Sequence, residues 1–255
     1  MTVTEHQILV FFLIWVRVSA LFLSAPVFGT RGIPLLWKIG FSGLVGLLLY
    51  PVVEPTVPDI ALEWWTVAVL VGREILAGVS IGLVLMLLFA AVVLAGEYIG
   101  MDMGFSMVQE FDPSFQSNIS ILGRFNNILA MLVFLLLDGH HLLLQAMALS
   151  YRTVPIGTWS LSQPAIHRIM AISGKIFAIG LQIAAPAVVT LFLTSVAMGI
   201  IARAVPQMNI FFVGFPLRIF AGLASLMLGL PLFLYVFKRL LEVFQSDVLY
   251  LLRVM

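Results

Sequence analysis

Six long apolar stretches run through the 255 residues, at 7–28, 35–53, 66–95, 121–150, 176–202 and 211–237. A spanning helix needs about 20 mostly apolar residues, and strands of a membrane barrel alternate faces over about ten. Unbroken runs of this length exclude a barrel, so the pattern predicts an all-α membrane protein. The polar breaks carry residues that end helices: Gly29 to Pro34, Pro51 to Asp59 and Tyr151 to Gly157. The fourth run is interrupted at Asp138-Gly-His-His141, which predicts a broken hairpin that enters and leaves on one side. The end of the chain sets Lys238, Arg239, Glu242, Asp247 and Arg253 among leucines and reads as an amphipathic tail.

Cytoplasmic loops are enriched in Lys and Arg. Arg31 and Lys38 place the first loop inside, whereas the loop of Glu54, Asp59 and Glu63 has no basic residue and belongs outside. The N-terminus is then outside. Arg152, Arg168 and Lys175 put a loop of 151–175 inside, and Lys238 with Arg239 puts the C-terminus there too. Assembly into a larger protein wall overrides such assignments.

Composition agrees with the pattern and removes several functions. Apolar residues make up 62% and charged residues 10%, against about 25% charged in soluble domains. Mean hydropathy is +1.15. A net charge of +1 gives no electrostatic case for nucleic acid. Cysteine is absent, which excludes disulfides, thiolate metal sites and a cysteine nucleophile. No Lys or Arg precedes Arg17, so the first run reads as a retained helix rather than a cleaved signal. HExxH, GxxxxGK[ST] and GxSxG are all missing. Neither metalloprotease, phosphate-loop nor hydrolase-elbow chemistry is therefore supported, and no catalytic residue or cofactor is nominated.

Small residues let membrane helices approach closely. Gly96, Gly100 and Gly104 recur every four residues, and Gly78 with Gly82 forms a second pair, so the third helix should have a tight helical neighbour, in this chain or in another subunit. Charges inside spans cost roughly 2.5–3.5 kcal/mol each and face protein or water. Arg17, Arg73, Glu74, Glu97 and Arg203 lie in or near the runs and read as ion pairs between helices, in preference to a proton path. His140 and His141 are adjacent and so diverge by about 100° on a regular helix, which predicts a polar helix cap and no metal site.

Gly96 to Phe115 is polar, glycine-bearing and methionine-rich, and reads as a flexible segment after the third run. Irregular backbone at membrane depth survives only inside protein or beside water. Met101, Met103 and Met107 with Phe105 and Phe111 could form a deformable seal, because methionine adapts to varied surfaces. Taken alone, such methionines more often fill gaps in a core.

Four stretches carry a resemblance: Ala95-Gly-Glu-Tyr-Ile-Gly-Met-Asp-Met-Gly-Phe-Ser-Met107, Asp112-Pro113, Phe134-Leu-Leu-Leu-Asp-Gly-His-His-Leu142 and Ser150-Tyr-Arg-Thr-Val-Pro-Ile-Gly157. In order, spacing and length the chain resembles the FliR family of flagellar export proteins and its relatives in virulence type III secretion systems. The resemblance implies a subunit of the export gate in the flagellar basal body at the bacterial inner membrane. There one R component joins P and Q components in a closed helical assembly, with the B component on the cytoplasmic side and unfolded flagellar proteins passing through. It implies a P-like part over 1–164 and a Q-like hairpin with its tail over 165–255, built from tilted or broken hairpins. It also implies a plug at about 104–118, rooted at Met101 and Met103 and comprising Gly104, Phe105, Ser106, Met107, Phe111, Asp112, Pro113 and Phe115. The competing expectation is a proton-coupled secondary transporter using Asp138 and His140 at the broken 121–150 segment.

Overall fold

The computed structural model describes residues 5–30, 32–54, 57, 63–105, 120–207 and 209–255. Seven helices account for most of them: α1 Glu5–Ser24, α2 Leu35–Val53, α3 Trp64–Met103, α4 Ile121–Leu136, α5 Gly139–Thr153, α6 Gln163–Ala204 and α7 Ile210–Val254. Among the described residues there is no strand, and the all-α expectation holds. Among the described residues five helices are long and apolar enough to cross a membrane, and α4 with α5 forms a sixth, bent unit. These match the six apolar runs.

Helix length departs from the hydropathy pattern. Helices α3, α6 and α7 contain 40, 42 and 45 residues. At 1.5 Å per residue each is about 60 Å long or more, roughly twice the hydrocarbon thickness of a bilayer. Hydropathy falls at Glu97, Arg168 and Lys238, but the backbone hydrogen bonding continues through them. Three expectations change as a result. Residues 96–103 are helical rather than a flexible segment, the 151–175 loop shrinks to 154–162, and the tail is the last third of one continuous helix.

The breaks have local causes. Val154 precedes Pro155, which disfavours helical backbone at the preceding residue, and α5 ends there with Val154 at φ −125°, ψ 85°. Helix α6 restarts where Ser162 Oγ accepts from the Ala165 N–H at 3.2 Å, with Pro164 in the first turn where no intrahelical partner exists for its nitrogen. Between α4 and α5, Asp138 adopts a left-handed conformation at φ 54°. The helix pair is broken there, with a bend of 70°.

The chain forms two compact units. One comprises residues 1–88, 138–173 and 241–255, the other 89–137 and 174–240. In the first, α1 packs against α2, with Trp15 Nε1 donating to Ser42 Oγ at 3.0 Å. Phe22, Phe28 and Phe41 form a ring cluster with centroids 4.7–6.3 Å apart. In the second, Ala95, Ile99, Met103, Leu122, Ala184, Ala187 and Leu191 make one buried cluster. Phe89 stands edge-on to both Phe134 and Phe237.

Candidate functional site

The first unit is organised around a buried charge. Arg17 and Glu74 are both fully enclosed, and their pairing is bidentate, with Nε to Oε2 at 2.6 Å and Nη2 to Oε1 at 3.0 Å. Burial of this kind is tolerable only when the remaining donors are satisfied. Arg17 Nη1 therefore donates to Ser150 Oγ at 3.3 Å and to the Val154 carbonyl at 3.0 Å. The guanidinium also lies 4.3 Å from the centre of the Tyr151 ring, whose hydroxyl donates to the Ile14 carbonyl at 3.1 Å. Glu74 Oε1 accepts the Gly157 N–H at 2.8 Å, and Arg73 Nη1 donates to the carbonyl of the same glycine at 2.5 Å. Gly157 has φ +80°, and a Cβ there would overlap Leu70, so the turn after α5 needs glycine. Two adjacent side chains of α3 thus hold the two peptide groups that flank Gly157 in the 154–162 connection.

Close backbone approach explains the first glycine pair. A Cβ at Gly78 would overlap the Arg17 carbonyl, and one at Gly82 would overlap Ser24 Oγ, so α3 presses bare backbone against α1. In the second unit a Cβ at Gly96 would stand 2.6 Å from Gly123 Cα and from the Leu122 carbonyl oxygen. Gly100 is looser, with Ser120 Oγ at 3.3 Å. For these four glycines the tight neighbour is in this chain. Glu97, between Gly96 and Gly100, accepts the Ser120 N–H at 2.7 Å, and Ser120 Oγ in turn accepts the Gly123 N–H at 2.9 Å. An anion and a serine cap therefore meet the exposed N–H groups that open α4.

Residues 8–244 match the family described as bacterial export proteins, family 1. The chain belongs to this family. It is 39% identical over 225 residues to the flagellar biosynthetic protein FliR of Pectobacterium carotovorum subsp. carotovorum, covering 87% of this chain and 84% of that protein. Proteins of the same name from Bacillus subtilis (strain 168) and Escherichia coli (strain K12) are each 32% identical, over 82% and 85% of this chain and 81% and 82% of their own lengths.

In this export-family chain the residues expected at the root of a plug divide sharply. Met103 is fully buried in the second unit's cluster and fills the space that a side chain at Gly222 would need. Gly104 closes α3 at φ +88°, its N–H donating to the Met101 carbonyl at 3.0 Å, and Phe105 packs on the same cluster. Met101 is 54% exposed. Ser106, Met107, Phe111, Asp112, Pro113 and Phe115 lie outside the described residues.

Of the five charges expected to pair between helices, Arg17 and Glu74 form an ion pair with each other. Arg73 binds a backbone carbonyl and Glu97 a helix start, while Arg203 is exposed in the last turn of α6, where a cation suits the helix dipole. Within the first unit, sequence reasoning missed that Arg168 pairs with Asp247 while lying 5.2 Å from the Tyr250 ring. Seventy-nine residues separate the two partners, and no spacing rule reaches so far. A usable signal existed in the tail, where Phe237, Leu241, Phe244, Val248, Leu251 and Leu252 follow helical periodicity and are all buried. His140 and His141 also differ from expectation. Their rings lie 4.3 Å apart and converge with Asp138, because the pair opens α5 directly after a left-handed residue.

Proposed function

We propose that this chain is a non-enzymatic subunit of the flagellar type III protein export gate in the bacterial inner membrane, forming part of the wall of the conduit for unfolded flagellar proteins. The observation that carries the reading is unmet apolar surface on helices too long for a bilayer. Within the most apolar windows of α6 and α7 only 22% and 6% of residues are buried in the chain. Phe177, Phe192, Phe220, Met227 and Leu228 are 64–83% exposed. Lipid covers about half of a 60 Å helix, and sister subunits are the natural cover for the rest. The sisters in this reading are the P and Q components, with the B component on the cytoplasmic side. Residues 1–164 would take the P-like place and 165–255 the Q-like hairpin.

The plug is the segment of about 104–118. Met103 and Phe105 anchor its root in the buried cluster, Gly104 supplies the turn that α3 needs to stop, and Met101 stays available to the lumen. Adaptable methionines re-form contacts after each chain has passed. Deleting residues 106–114 tests this assignment in cells that still assemble the gate. The expected outcome is leakage of ions or small dyes at rest. Unchanged permeability in an assembled gate overturns the plug, and proton-coupled uptake of a solute by the purified chain alone overturns the gate reading itself.

A further inference from the structure

We propose that Asp138, His140 and His141 form a binding site for a divalent transition-metal ion of the zinc type. One potential ligand atom from each of the three side chains lies within 4.8 Å of the others, and Asp138 Oδ1 is 3.5 Å from His141 Nδ1. Ligands at about 2.0–2.1 Å from a tetrahedral zinc ion stand roughly 3.3 Å apart. The cluster closes to that size by side-chain rotation alone, since the Asp138 and His141 side chains are 74% and 64% exposed and free to turn.

Two further observations point to a ligand rather than to a simple helix cap. Asp138 occupies the residue before α5, where an aspartate normally accepts a backbone N–H, yet its carboxylate makes no such bond and lies beside the imidazoles instead. His140 Nδ1 is enclosed and has no hydrogen-bond partner, a situation that costs about 1–3 kcal/mol for a buried polar group. That nitrogen is one of the two through which His140 can ligate.

The donor set selects the ion. Two imidazoles and one carboxylate suit zinc, cobalt or nickel better than magnesium or calcium, which take oxygen ligands. Three protein ligands leave a fourth position for water or for a group from a neighbouring subunit. The site does not depend on the export-gate reading, because all three ligands come from the short stretch Asp138 to His141 of this chain.

The experiment uses tag-free full-length chain, purified with whatever partners accompany it, and titrated with Co²⁺ while visible absorption is followed. One saturable equivalent per chain, displaced by Zn²⁺, is expected. Asp138→Asn and His141→Ala should each weaken binding at least tenfold, while His167→Ala on exposed α6 leaves it unchanged. Should the variants fail to fold, Zn²⁺ protection of His140 and His141 from diethylpyrocarbonate in the unaltered chain, with His167 still modified, gives the same answer. No saturable binding, binding that survives loss of both Asp138 and His141, or equal modification of all three histidines with and without Zn²⁺ overturns the assignment.

Discussion

Replacing Glu74 with Gln keeps the shape of the side chain and removes the charge that faces Arg17. Both partners are fully enclosed, so the guanidinium cannot turn to water. Breaking a buried pair from one side costs about 3–5 kcal/mol, because the surviving charge stays buried and uncompensated. Against a total stability of about 5–15 kcal/mol that is a large share. At about 2–4 °C per kcal/mol for chains approaching this size, the unfolding temperature should fall by about 6–20 °C.

The assay is thermal unfolding of the detergent-solubilised protein, followed by tryptophan fluorescence, with limited proteolysis at 154–162 as a local readout. That connection should become the first cleavage site, since Gly157 hangs on Glu74 and Arg73. Removing both charges as Arg17→Met with Glu74→Leu separates charge from packing. Apolar replacement of a whole buried pair is often neutral or better, but here the Val154 carbonyl and the Gly157 N–H lose their partners, at about 1–3 kcal/mol for each unsatisfied group. Two such groups cost about 2–6 kcal/mol together, so the double variant should stay well below the parent although no charge is left buried. A Glu74→Gln protein within about 1 kcal/mol of the parent would refute the reasoning, as would a double variant as stable as the parent.

Gly96→Ala and Gly100→Ala should differ although they sit one turn apart. The first forces a methyl into backbone atoms of Leu122 and Gly123 and should cost about 1–3 kcal/mol by overpacking, whereas the second meets the Ser120 side chain at 3.3 Å and should be nearly silent in the same thermal assay. Ser120→Ala removes the cap on α4 and should cost about 1 kcal/mol, with faster hydrogen exchange confined to the first turn of α4.

The positions of the six apolar units and the breaks at Gly29–Pro34 and Asp138–His141 were legible because hydropathy and Pro or Gly chemistry act locally. Helix lengths were not. A window of hydropathy stops at Glu97 or Arg168, while a helix stops only where its backbone bonds fail, and both residues continue helices by finding partners at Ser120 and Asp247. The site was half legible. Arg17 and Glu74 stand out as costly charges, but their 57-residue separation and their hold on Ser150, Val154 and Gly157 come from packing of three chain segments. The glycine spacing announced a close neighbour without saying which, and α1 and α4 prove to be the neighbours for Gly78, Gly82 and Gly96. Asp138 shows the reverse failure, since a helical wheel drives the two histidines apart and one left-handed residue changes where that helix begins.

The mass of the native complex, captured through this chain and measured intact after release from detergent, bears most directly on the central claim. A single copy of this chain within a larger assembly containing P and Q components is the predicted result. A folded, monodisperse species containing this chain alone would contradict it.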